Sequence, residues 1–81
     1  MIIIDVRDKD EYEEANIDNS INFDLLDLMN EKLPDINKDE EIILYCNSGG
    51  RSGRALCILE DAGFTNVQNG GGYFDLKNKG Y

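Results

Sequence analysis

The chain has 81 residues, 41% of them apolar and 31% charged, with a formal net charge of −9. A chain of this length forms at most one domain, burying about 60% of its unfolded surface, and the composition is that of a globular protein. The longest apolar runs, residues 1–4 and 42–46, are far shorter than the ~20 residues of a membrane span, and so acidic a chain is a poor partner for nucleic acid or an anionic membrane.

In chain order, residues 2–6 form a β-branched run that reads as a buried strand. Asp8 can cap a short helix over residues 9–15, with Glu11 in the capping-box position. Residues 20–22 suit a brief strand. Leu25, Leu28, Met29 and Leu33 recur at spacings of three and four, which predicts an amphipathic helix stopping before Pro34. Residues 42–45 are apolar without alternation, as central parallel strands are. A helix is expected from about residue 52 to 62, with Ala55, Leu59 and Ala62 on one face and Gly63 as the left-handed residue beyond its end. Residues 65–68 suit a strand, 69–72 a turn, and 73–77 a last helical turn. Strands alternating with helices predict an α/β fold with a mostly parallel sheet.

The charge is uneven. Residues 1–41 hold fourteen acids and four bases, whereas the segment 42–59 holds Arg51 and Arg54 and no acid. Any anion site is expected there. Cys46 leaves the buried strand into Asn47-Ser48-Gly49-Gly50-Arg51-Ser52, and a helix begins on the far side. Unpaired amides at a helix start converge on such a point, the helix dipole adds positive charge, and glycines let the backbone close around it. A thiol held there is shifted from about 8.5 toward the ~3.5–7.5 range, where the nucleophilic thiolate dominates. With no histidine in the chain, a Cys-His pair, an imidazole shuttle and most zinc sites are ruled out. Two cysteines make no disulfide framework, and Cys57 reads as structural filler in the helix.

Ile4-Asp5-Val6-Arg7, Glu11-Tyr12, the loop Tyr45 to Ser52, Ala55, Leu59, Gly63-Phe64, Val67 and Gly71-Gly72 occur in an order that resembles the single-domain rhodaneses. The resemblance covers residues 2–76, and the tracts around Cys46 and Asn69 are most similar to the small phage-shock-type rhodaneses. It implies one rhodanese-like domain over residues 1–81, with a sheet of about four strands flanked by helices and without the family's usual N-terminal strand and helix. An edge left open in this way suggests a monomer or a weak dimer. The implied activity is sulfur transfer, with no metal and no cofactor. Cys46 would attack the outer sulfur of an anionic donor, thiosulfate or a persulfide. Asn47, Ser48, Gly49, Gly50, Arg51 and Ser52 would surround the resulting persulfide, with the Ser48 side chain toward the sulfur. A thiol, cyanide or a protein would accept it.

Arg51 would orient the donor or brace the loop, and Arg54 is a peripheral charge. Asp5, Arg7 and Glu11 are implied to be structural support, with Arg7 pairing Glu11. Where the family has Gly-His-Ile-Pro-Gly-Ala, this chain has Ala15-Asn16-Ile17-Asp18-Asn19-Ser20, which alters a turn, and the usual late tryptophan is missing. Loop length separates the chemistries. Arginine follows the cysteine by five positions, as in sulfur-transferring members, and not by six as in cysteine phosphatases and arsenate-reducing relatives. The alternatives carried forward are a persulfide carrier or sensor with a protein partner, a phosphatase-like or arsenate-reducing enzyme, and an idle binding module. No basic region precedes an apolar stretch at the N-terminus, so a cytoplasmic protein without a signal peptide is expected.

Overall fold

The computed structural model describes residues 1–81. The elements run β1 (Ile2–Asp5), α1 (Lys9–Glu14), β2 (Ile21–Asn22), α2 (Leu25–Met29), β3 (Ile42–Cys46), α3 (Gly50–Asp61), β4 (Val67–Gly72) and α4 (Tyr73–Asn78). All three strand pairings are parallel, in the order β2-β1-β3-β4. Every residue of β3 is buried. Alternation along the strand sends Ile42, Leu44 and Cys46 into one core with Ala55 and Leu59 of α3 and Leu25 and Leu28 of α2. Ile43 and Tyr45 point the other way, into a smaller core with Ile3, Ile17 and Leu76. That two-sided burial is why the strand is apolar without a period of two. No helix is long and apolar enough to cross a membrane.

The capping box predicted for α1 is present, with Asp8 accepting from the Glu11 amide at 2.9 Å and Glu11 accepting from the Asp8 amide at 3.3 Å. Helix α2 is shorter than its spacing predicts. It ends at Met29, because Glu31 adopts a left-handed φ of 66° and the Lys32 amide bonds back to the Asp27 carbonyl at 3.0 Å. Leu33 is therefore outside the helix and exposed. Helix α3 closes in the same way on Gly63, whose φ is +98°, and the Phe64 amide returns to Leu59. Helix α3 starts two residues earlier than predicted, at Gly50.

The largest departure is at β4. The expected turn over residues 69–72 is strand, because Val67–Gly72 runs along β3 through a bulge. Leu44 pairs with Asn69 while Cys46 pairs with Gly72, so two steps on β3 match three on β4. Cys57 also departs from expectation. It lies on the exposed face of α3, since two helical positions from Ala55 is more than half a turn from the buried stripe, and both cysteines are free.

The altered turn after α1 is held from the sheet. The buried Ile17 amide donates to the Tyr45 hydroxyl oxygen at 3.0 Å, and the Tyr12 hydroxyl donates to the Ser20 carbonyl at 2.6 Å. Tyr45→Phe leaves the Ile17 N–H buried without a partner. We expect a loss of about 1–3 kcal/mol, read as a lower urea midpoint with an unchanged slope.

Candidate active site

Strand β3 delivers Cys46 to its carboxyl end, and the side chain is 1% exposed. The chain reverses through Asn47 and Ser48 and enters α3 from Gly49, whose φ is +97°. A side chain there would be strained, and its Cβ would lie 3.4 Å from Gly71 Cα. This reversal turns the Gly49 amide onto Cys46 Sγ at 3.0 Å, and the Ser52 amide follows at 3.4 Å. The Ser52 hydroxyl, fully buried, is also 3.4 Å from Sγ. Burial pushes the Cys46 thiol up. The Ser52 hydroxyl and the amides of Ser52, Ser48 and Gly49 outweigh that effect, so the thiol titrates below its ordinary value.

The expected ring of six residues is thus concentrated in three. Ser48, Gly49 and Ser52 act on the sulfur. Gly50 opens the helix without a bond to Sγ, the Ser48 side chain is exposed, and Asn47 lines a cavity beside the loop. That cavity, about 260 Å³, is bounded by Arg7, Glu11, Glu14, Ala15, Tyr73 and Phe74 together with Asn47.

Arg51 is engaged by Glu11 and makes no hydrogen bond to the sulfur. Its guanidinium forms a two-pronged pair with Glu11, Nη1 to Oε1 at 2.6 Å and Nη2 to Oε2 at 2.9 Å. The hydrogen bond from Arg51 holds the Glu11 carboxyl down to about 2, against 4.5 ordinarily, and Glu11 in turn raises Arg51. The implied Arg7–Glu11 pair is not formed. Arg7 instead folds back on Asp5, which is fully buried and accepts from the Arg7 amide at 2.8 Å, from Nε at 3.0 Å and from Nη2 at 2.8 Å. The Arg7 guanidinium also donates to the Ala15 carbonyl and lies 5.6 Å and 5.5 Å from the rings of Tyr45 and Tyr73. Asp5 is only two residues away and likewise buried, so it outcompetes the partly exposed carboxylate of Glu11.

Two features escape a reading by spacing. Asn69 reaches from β4 to the Ser52 hydroxyl, its Oδ1 accepting at 2.7 Å. Gly72 passes so close to the Asn47 carbonyl that a Cβ there would overlap it, so the loop and β4 are in backbone contact. The Asn-Gly-Gly-Gly tract was the available signal, but by composition it reads as a turn.

The chain matches the model of the rhodanese-like domain over residues 1–79. It is 36% identical over 76 residues to the thiosulfate sulfurtransferase PspE of Escherichia coli, covering 90% of this chain and 71% of that protein. It is 34% identical over 84 residues to the adenylyltransferase and sulfurtransferase UBA4 of Saccharomyces cerevisiae, covering 90% of this chain but only 19% of that longer protein. Among solved structures, a Rhodanese_3-like domain from Anabaena sp. superposes with a TM-score of 0.85 at 28% identity, over 98% of this chain and 92% of that one. The sequence and the fold therefore agree, and this chain belongs to the rhodanese-like family as a thiosulfate sulfurtransferase-like enzyme.

Proposed function

We propose that residues 1–81 act as one unit that moves sulfane sulfur from thiosulfate or a persulfide to a thiophilic acceptor, through a persulfide on Cys46. The observation that carries this reading is the seating of Sγ against the Gly49 and Ser52 amides, with a thiol titrating below its ordinary value. In the first step the Cys46 thiolate attacks the outer sulfur of thiosulfate. The S–S bond of the donor breaks and its electron pair leaves with sulfite. In the second, an acceptor thiolate or cyanide attacks the outer sulfur of the persulfide, and the pair of the breaking bond returns to Sγ. The loop amides stabilise the anionic sulfur at both stages.

Arg51 braces the loop, since two of its donors are engaged by Glu11. Asp5 and Arg7 hold the frame on which Glu11 stands. The six residues from Cys46 to Arg51 make a cradle smaller than a tetrahedral phosphate needs, which favours sulfur transfer over the phosphatase-like and arsenate-reducing readings. A persulfide carrier serving a protein partner is the second reading. It is favoured by the resemblance to UBA4, in whose longer chain the matched part is 19% of the length.

Intact mass before and after thiosulfate tests the main reading. Wild type should gain one sulfur atom and lose it to cyanide as thiocyanate, and Cys46→Ser should gain none. No adduct on wild type, or an undiminished adduct on Cys46→Ser, overturns it. Rapid loading with slow turnover on small acceptors would select the carrier reading.

The brace makes its own prediction. The carboxyl of Glu11 is lowered on folding, so the pair stabilises fully above about 4.5, the ordinary value, and is lost as pH falls toward about 2. Both side chains are about a third exposed, 32% for Glu11 and 39% for Arg51, so screening limits the gain. Glu11→Gln should cost about 1 kcal/mol or less at neutral pH. The difference in melting temperature between it and wild type should shrink to nothing between pH 4.5 and pH 2.

A further inference from the structure

The Ser52 hydroxyl has one proton, and its two chief candidate acceptors are Cys46 Sγ at 3.4 Å and Asn69 Oδ1 at 2.7 Å. The orientation of the Asn69 amide is decided by its other neighbours. Nδ2 donates to the Gly49 carbonyl at 3.1 Å, and Oδ1 accepts from the Gly71 amide at 2.9 Å. Reversing the amide would set Nδ2 against the Gly71 N–H and Oδ1 against the Gly49 carbonyl, losing both bonds. The atom facing Ser52 is therefore an oxygen that can only accept, and an O···O contact of 2.7 Å between them requires the Ser52 proton. A second oxygen, the Gly71 carbonyl, is 3.4 Å away and competes weakly. With the proton on the Asn69 side, Ser52 turns a lone pair toward Sγ. That arrangement suits a thiol, which donates, and opposes a thiolate, which does not.

We propose that Asn69 is a positioning residue that holds the Ser52 hydroxyl proton away from Cys46 and yields it when negative charge develops on the sulfur. Asn69 Oδ1 keeps its bond from Gly71 when the hydroxyl swings, so it is not stranded. A charge-assisted bond to sulfur then replaces a neutral one to the amide. The neutral thiol and the persulfide, whose Sγ carries no charge, leave the proton with Asn69. In the second transfer step the acceptor thiolate bonds to the outer sulfur, the bond from that sulfur to Sγ breaks, and its electron pair goes to Sγ. The hydroxyl turns to meet that pair. The consequence for turnover rests on the sulfur-transfer reading above, whereas the effect on ionisation does not.

The test is the pH profile of Cys46 alkylation by iodoacetamide in a Cys57→Ser background, which removes the exposed second thiol. No sulfur donor is present, so the result is separate from that of the persulfide mass experiment. Asn69→Ala should lower the apparent pKa of Cys46 by about half to one unit, the effect of releasing one hydroxyl bond. Ser52→Ala should raise it. The double variant should titrate with Ser52→Ala, because the asparagine acts only through the hydroxyl. Asn69→Asp, which accepts more strongly and adds negative charge, should raise it and provides a second reading of the same contact. An unchanged or raised value in Asn69→Ala overturns the proposal, a rise being the mark of a role through the Gly49 carbonyl instead. So does a shift that persists when Ser52 is absent. Asn69 is exposed, so its truncation opens no core cavity.

Discussion

A carboxylate buried at the end of β1 is the constraint from which the site is assembled. Asp5 has no access to solvent, and Arg7 supplies its counter-charge from two residues away while donating to Ala15 and lying over Tyr45 and Tyr73. One guanidinium thereby joins the end of β1, the turn after α1, the central strand and the start of α4. Such a pair adds little net stability over an apolar equivalent, but removing one partner strands a buried charge at a cost of about 3–5 kcal/mol. Its contribution here is geometric. It ties the C-terminal end of α1, at Ala15, to the end of β1, and α1 carries Glu11.

From Glu11 the constraint passes to Arg51, and from Arg51 to the loop. The two-pronged pair joins positions 40 residues apart in sequence and fixes the first turn of α3. That turn aims the Gly49 and Ser52 amides at Sγ. On the opposite side β4 closes in through its bulge, bringing Asn69 beneath Ser52 and Gly72 against the Asn47 carbonyl. Small residues are needed where two backbones meet: Gly72 lies against Asn47 and Gly71 against Gly49, while Gly70 packs against β3 and Leu76. The sulfur is thus held by backbone from one side and a side-chain relay from the other, with no imidazole in either.

Much of the fold was legible because its signals are local. The uninterrupted apolar run of β3, the capping box at Asp8 and the left-handed Gly63 each depend on neighbours within five residues. The errors arise where the decisive partner is remote or the local signal is ambiguous. Leu33 continues the spacing of α2, but a left-handed Glu31 has already ended the helix. Asn69-Gly70-Gly71-Gly72 has the composition of a turn and becomes strand only because β3 offers it a ladder. The family resemblance implied Glu11 as the partner of Arg7, whereas in the folded chain the buried Asp5 takes that guanidinium.

For the site, the sequence alone determined the candidate nucleophile and its setting: one cysteine at the end of a buried strand, a glycine loop, a helix start and no histidine. Those features follow from residue types and short spacings, which the chain carries wherever it folds. Tertiary structure alone decided which of the loop residues face the sulfur, that Arg51 braces against Glu11, and that Asn69 holds the Ser52 hydroxyl. The reason is physical. Hydrogen bonds act over about 3 Å, and residues 17 or 40 positions apart come within that range only after the sheet has ordered.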